Sequence, residues 1–318
     1  MTGISSTMRK LAAALFSNET EQQQFLHGLT EANDAPRGLL WVQPPPDSIP
    51  FSIVPPVGFE PEFISRVTSD CRAGGHQLHT DGYYYCLDFS SVFSASVLTA
   101  ITEPVTSVLD VCAAPGGKSV FAWRLLNPDL LICNEPIGNR IGALVSNLQR
   151  LRIPSAVTRH DSSVLKSRSP KSFDLVICDV PCSGQSLLAR GKESGGAFHP
   201  ATINMNSNRQ KRIVANAIGT IAPGGYLAYM TCTFSRAENE AVIEWVMKKF
   251  PYLHAIPVPG LSAYQSTQAD FPCYRMFPQS GIGAGAFACL LQSEEKGQSG
   301  PIELSDIGPV WRFPPLQP

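Results

Sequence analysis

Three stretches of this chain carry side chains whose types and spacing are suited to chemistry. In Ser107–Ser119 (Ser-Val-Leu-Asp-Val-Cys-Ala-Ala-Pro-Gly-Gly-Lys-Ser) an apolar run of Val108, Leu109 and Val111 precedes small residues and a Pro115-Gly116-Gly117 turn. Lys118 then opens a segment with helical spacing: Val120, Phe121, Trp123, Leu125. Strand, tight turn and helix N-terminus in that order present free backbone N–H groups at the carboxyl edge of a sheet, where open α/β sheets bind nucleotide-like ligands. A phosphate-binding P-loop requires Gly-x-x-x-x-Gly-Lys-Ser/Thr; Gly117-Lys118-Ser119 fits its end, but Cys112 occupies the first glycine's place. The dinucleotide fingerprint Gly-x-Gly-x-x-Gly is absent. An adenosylmethionine loop fits without alteration. The second and third stretches, Asp179-Val-Pro-Cys-Ser-Gly184 and Thr231-Cys-Thr-Phe-Ser-Arg-Ala-Glu-Asn-Glu240, each close an apolar run and bring a thiol, Cys182 and Cys232, with Asp179 beside the first. Thiols and a carboxylate are the groups of nucleophilic and acid–base catalysis.

The elements that must position these groups alternate regularly. Leu130–Glu135 reads as a second strand ending in an acid about twenty residues past the glycines, where a carboxylate accepts both hydroxyls of a ribose. A helix over 138–151, with Ile141, Leu144, Val145, Leu148 and Leu151 at helical spacing, leads to a third strand, 156–161, ending in Asp161. A fourth strand, 173–179, a helix over 206–221, a Pro223-Gly224-Gly225 turn and a fifth strand, 226–232, follow. A helix over 238–249 and strands at 254–258 and 285–292 complete the pattern. Such alternation predicts an α/β fold, a doubly wound Rossmann-like sheet that is mostly parallel with an antiparallel last strand. Upstream, helices over 8–16 and 19–30, a strand over 37–43 and a proline-rich connector, 44–61, make a small N-terminal extension. The expected organisation is therefore an N-terminal region, 1–80, a catalytic domain, 81–292, and a loosely ordered Gly/Pro/Ser-rich tail, 293–318.

Composition narrows the class. The 318 residues can bury a full core, and the net charge is −1. The nine cysteines never occur as Cys-x-x-Cys, which argues against a zinc cluster or a disulfide framework; Cys133, Cys178 and Cys289 read as small core residues. His76 and His79 have no matching Cys or acid pair nearby and read as a loop, so no metal is expected. No run of eighteen apolar residues is present, and Met1–Lys10 lacks the apolar core of a signal peptide; a cytoplasmic location without membrane contact is expected. Between Arg150 and Arg212 eleven Lys/Arg are interrupted by four acids, Asp161, Asp174, Asp179 and Glu193, a distribution that fits a local phosphate-tracking face.

Taken together and in order, the three motifs resemble the NOP/Sun family of RNA cytosine-5 methyltransferases, over roughly Tyr83 to Leu291. The resemblance implies S-adenosyl-L-methionine as cofactor, held by Cys112, Ala113, Ala114, Pro115, Gly116, Gly117, Lys118, Glu135, Asp161 and Asp179. It implies methylation of carbon 5 of cytosine in RNA, with rRNA as the expected substrate at a single-stranded or distorted site. Carbon 5 is a poor nucleophile until a thiolate adds to carbon 6. DNA cytosine-5 enzymes use the cysteine of Pro-Cys, here Cys182. The RNA family uses that of Thr-Cys, here Cys232, while the Pro-Cys thiol helps release product and Asp179 holds the far edge of the ring. With both thiols present, Cys232 is the expected nucleophile. Arg209, Lys211 and Arg212 are candidate RNA contacts. The chain departs from the family at Leu40 and Gln43 after Arg37-Gly38, at Leu87, at Val180 and at Gln279, which stands where the family has His. A tRNA or other nucleic-acid methyltransferase, and a non-catalytic RNA-binding or assembly factor, are the alternatives.

Overall fold

A computed structural model describes residues 3–31, 35–192 and 195–314; Glu193, counted above among the acids, lies outside them. Strands β1 (Arg37–Trp41), β2 (Ile53–Val54), β3 (Ile64–Val67) and β4 (Tyr84–Asp88) form an antiparallel sheet in the order β2-β3-β1-β4. The boundary expected at 80/81 falls inside this sheet, because β4 pairs along the whole of β1. Leu39, Trp41 and Tyr84 share one buried cluster, with the Trp41 and Tyr84 rings 5.0 Å apart. His76 caps a short helix, Gln77–Thr80, by accepting from the Leu78 N–H through Nδ1, and no metal-holding cluster occurs among the described residues.

The large sheet contains β5 (Ser107–Asp110), β6 (Leu130–Asn134), β7 (Ser155–Thr158), β8 (Phe173–Asp179), β9 (Ile221–Thr231), β10 (Leu253–Ala255), β11 (Tyr274–Met276), β12 (Ala286–Ser293) and β13 (Trp311–Phe313). Its order is β10-β12-β9-β8-β5-β6-β7-β13, with β11 also paired to β12. Strands β5 to β9 run parallel, and β12 is antiparallel to β9, as the sequence predicts. Val108, Leu109, Val176 and Ile177 are fully buried because helices cover both faces. Chain order reverses between β5 and β8, so the ligand crevice of an open α/β sheet falls at their carboxyl ends.

Several elements differ from expectation for identifiable reasons. The helix expected from 206 spans Pro200–Ile218, since His199 caps it and Pro200 takes the first turn, where no N–H is needed. The third strand stops at Thr158; Asp161 instead accepts from the Ser163 N–H and caps the helix Ser162–Arg168. The tail is more ordered than its composition implies. Trp311–Phe313 adds an antiparallel edge strand to β7, and Ile307 is buried against the core. The N-terminal helices Ser6–Leu15 and Glu19–Thr30 pack on the catalytic sheet's loops, with Phe25 5.1 Å from Phe234 and Phe16 4.9 Å from Phe277. Gln279 belongs to that contact: a Cβ on Gly28 would lie 2.8 Å from its backbone nitrogen.

Candidate active site

The loop after β5 forms the floor of the crevice. Gly116 has a φ of +110°, open to glycine, and a Cβ on Gly117 would lie 2.5 Å from Leu87 Cδ1. Asp110 anchors the turn from below, accepting from Ser119 Oγ at 2.6 Å and from the Cys112 N–H at 3.3 Å. Burial pushes its pKa up to about 7, against the Ser119 hydrogen bond. Cys112 is buried, and its thiol is pushed up by that burial, so it lines the loop as an inert wall.

Glu135 follows β6 and is 1% exposed. Its Oε1 accepts from the Ile137 N–H at 2.9 Å; its Oε2 lies 3.1 Å from Arg140 Nη1 but makes no well-aligned hydrogen bond. A buried carboxylate oxygen that is ion-paired but lacks an aligned hydrogen bond can still accept from a ribose hydroxyl. Arg140 also donates to the Ala114 carbonyl at 2.5 Å, tying the glycine loop to this acid. Beyond it lies a recess bordered by Val111, Asn134, Ile137, Asp161, Arg209 and Arg212. Replacing Glu135 by Ala is expected to weaken S-adenosylmethionine binding by about 1–3 kcal/mol, the worth of hydrogen bonds to a charged group. Unchanged affinity by calorimetry in the folded variant would refute the ribose assignment.

Arg209, Lys211 and Arg212 are not brought together. Arg209 and Arg212 lie three residues apart on one helix face, at the recess beyond Glu135, with Arg212 3.3 Å from Asp161. Lys211 points the other way, 6.0 Å from the Trp245 ring.

A cavity of about 410 Å³ continues from the loop to the ends of β8 and β9, lined among others by Tyr85, Ser91, Lys118, Asp179, Arg190 and Cys232. Here the two thiols meet, Cys182 Sγ 3.1 Å from Cys232 Sγ. Lys118 Nζ lies 2.7 Å from Asp179 and 3.5 Å from Ser91 Oγ. Burial works against the ammonium, but Asp179 more than offsets it and leaves the Lys118 pKa above its ordinary value. The thiols are driven apart. A hydrogen bond from Cys182 holds Cys232 below its ordinary pKa against burial and the nearby Asp179 charge, with help from Lys118 and Arg190. The same hydrogen bond, burial and the neighbouring charges of Cys232 and Glu238 push Cys182 well up. Within this pair the shared hydrogen bond favours the proton on Cys182 and makes Cys232 the more acidic thiol.

The structure thus gathers Cys112–Lys118, Glu135, Asp161, Asp179, Cys182 and Cys232 along one crevice. Sequence reasoning passed over Arg190, which pairs with Asp88 at 2.5 Å at the cavity mouth, and Arg140. Arg190 was counted only as one of a basic run; its place beside Cys232 depends on the 3₁₀ turn Gln185–Arg190 folding back from the Pro-Cys loop.

A sheet of this order, with a glycine loop, a buried acid at the end of the next strand and an acid–thiol loop at its switch point, defines a Rossmann-like methyltransferase domain. Residues 97–292 match the model of the 16S rRNA methyltransferase RsmB/F family, and the chain belongs to that family. Ribosomal RNA small subunit methyltransferase F of Escherichia coli O127:H6 is 32% identical over 260 residues, covering 79% of this chain and 53% of that protein. The enzyme of the same name from Serratia proteamaculans is 30% identical over 237 residues, 72% of this chain and 49% of that one. The chain thus spans about half the length of the curated relatives it matches. Among solved structures, NSun6 from Pyrococcus horikoshii with SFG superposes with a TM-score of 0.69 at 16% identity, covering 92% of this chain and 99% of that one. A methyltransferase homolog protein from the same organism gives 0.68 at 18%, covering 91% and 99%. At such identities the likeness concerns the fold.

Proposed function

We propose that this protein uses S-adenosyl-L-methionine to methylate carbon 5 of cytosine in ribosomal RNA, with Cys232 as nucleophile. The observation that carries the reading is the 3.1 Å contact between Cys182 and Cys232 at the end of a cavity that also holds the Lys118–Asp179 pair. When bound, the cofactor supplies a methyl group on a sulfonium. Gly116–Lys118, Glu135 and Asp161 hold it, Glu135 through the ribose hydroxyls and Asp161 at the adenine-like end. The Cys232 thiolate adds to carbon 6 of the target base and makes carbon 5 electron-rich. Asp179, fixed by Lys118, receives the amino edge of the ring. Once Cys232 is a thioether, it no longer accepts the Cys182 hydrogen bond and no longer carries charge. Two of the forces that kept Cys182 protonated vanish together, so the half-buried Cys182 gives its proton to solvent, the one proton the overall methylation releases, and as thiolate takes the carbon 5 proton. The S–C6 bond then breaks and restores the Cys232 thiolate. A base reached in this way must leave its stack, so an unpaired or distorted site is required.

The test is transfer of labelled methyl groups to 16S rRNA transcripts and small ribosomal subunits, with bisulfite mapping of the product. Transfer to tRNA transcripts instead would favour the other substrate class, and no transfer to any RNA would overturn the reading. No helix among the described residues is long and apolar enough to cross a membrane.

RNA binding should fall steeply with salt. Replacing the exposed Arg209 and Arg212 together by Ala is expected to reduce the slope of log K against log salt by about two, one per lost phosphate contact. Lys211→Ala, held over Trp245, should leave it unchanged. Equal slopes in filter binding for wild type and the double variant would reduce both arginines to solvated surface.

A further inference from the structure

Glu238 touches neither the cofactor crevice nor the cavity, yet both cysteine loops converge on it. It lies in a single 3₁₀ turn, Arg236–Glu238, shortly after Cys232, and is fully buried. The Ser183 N–H donates to its Oε1 at 2.8 Å and Ser183 Oγ donates to Oε2 at 2.6 Å, so the residue after Cys182 is gripped at backbone and side chain. The Thr233 hydroxyl, after Cys232, bonds Ser183 Oγ at 2.8 Å and reaches Glu238 Oε2 at 3.5 Å. Gln210 donates through Nε2 both to Glu238 at 3.1 Å and to the Pro181 carbonyl at 3.0 Å, closing the clasp on the far side of Cys182. The Tyr229 hydroxyl fixes the Glu238 carbonyl at 2.6 Å. Two Cys-hydroxyl dipeptides from different strands are therefore clipped side by side on one buried carboxylate.

The clasp is also asymmetric in charge. Lys118 and Arg190 lie on the Cys232 side, partnered by Asp179 and Asp88, whereas Glu238 stands behind Cys182, with Tyr229 on β9. We propose that Glu238 is a positioning residue for methyl transfer: it sets the two thiols in register and makes Cys182 the proton-carrying partner of a Cys232 thiolate. The Glu238 carboxylate behind Cys182 opposes ionisation there, whereas beside Cys232 the Asp179 charge is countered by Lys118 and Arg190, so a single proton is divided unequally between the two thiols. Burial raises the Glu238 pKa, and the Ser183, Gln210 and Thr233 donors work to keep it ionised. The inference rests on the reading of Cys232 as nucleophile, but the alkylation arm of its test does not need RNA.

The test compares wild type, Glu238→Gln and Thr233→Val by alkylation with iodoacetamide between pH 6 and 9, each cysteine followed separately by mass spectrometry without cofactor or RNA. Wild type should alkylate Cys232 well ahead of Cys182 at the acid end. Glu238→Gln removes the charge and keeps the volume. It should cut that preference by about tenfold, the effect of about one pKa unit between the two sulfurs. Its kcat should fall by about tenfold or more while the KM for cofactor and RNA stays within about twofold, as misplacement of reacting groups predicts. Thr233→Val, which cuts only the hydroxyl clip, should loosen register and lower kcat with the alkylation order retained. Should Glu238→Gln fold, bind cofactor and keep both the preference and kcat, the proposal is overturned. Should Glu238→Gln not fold, an unchanged kcat in Thr233→Val overturns it. A changed alkylation preference in a protein that methylates no RNA would instead leave Glu238 as proposed and remove the functional reading.

Discussion

Cys232→Ala is expected to abolish methyl transfer, by at least about 10⁴-fold as for loss of a nucleophile, and to leave no covalent protein–RNA adduct. Cys182→Ala is expected to do the opposite on a denaturing gel. The methyl group moves, the carbon 5 proton finds no base, and the methylated RNA stays on Cys232 as a slow-migrating band. The asymmetry follows from the 3.1 Å thiol pair, in which Cys182 lends its proton before the addition and is released to accept one after it. A band that appears with Cys232→Ala and vanishes with Cys182→Ala would swap the two roles. Absence of any adduct or transfer, in wild type and both variants, would point to a binding factor that retains the fold.

The second large effect is on stability. Glu240 and Arg275 form a bidentate pair, Nε to Oε1 at 2.6 Å and Nη2 to Oε2 at 2.5 Å, with side chains 0% and 3% exposed. Ser266 Oγ donates to Glu240 at 2.6 Å, and Arg275 Nη1 donates to the Phe234 carbonyl at 2.9 Å. The pair thus ties β11 to the loop that follows Cys232. Arg275→Met is expected to destabilise the fold by about 3–5 kcal/mol, because it strands Glu240 as a buried unpaired charge. The double variant Arg275→Met, Glu240→Leu should recover much of that loss, since the penalty is desolvation rather than a missing attraction. Urea unfolding measures both. A single variant within about 1 kcal/mol of wild type, below the cost of any unsatisfied buried charge, would mean that water or a new donor reaches Glu240.

The strands that build the large sheet were legible because β5, β8 and β9 are buried on both faces and so read as near-continuous apolar runs. The glycine loop was legible because only small residues fit beneath Leu87 and at a positive φ, which leaves a distinctive local string. The antiparallel β12 likewise appeared in outline, carried by the family pattern.

By itself, then, the sequence determined which candidate residues stand at strand ends: the loop Cys112–Lys118, Glu135, Asp179, Cys182 and Cys232, each placed there by local hydrophobic pattern. Tertiary structure decided how they act on one another. Which of Cys182 and Cys232 is the more acidic depends on their mutual hydrogen bond and on Asp179, Lys118, Arg190 and Glu238, groups up to 120 positions apart in the chain. The two N-terminal helices were legible from their own pattern, but what they pack against was not, and the strand Trp311–Phe313 escaped the sequence reading altogether. Their partners, Phe234, Phe277 and β7, are distant in sequence, and no local periodicity records a contact made across the fold. Electrostatic preference between two thiols is a property of summed distances, and distances between remote residues exist only once the sheet has closed on its helices.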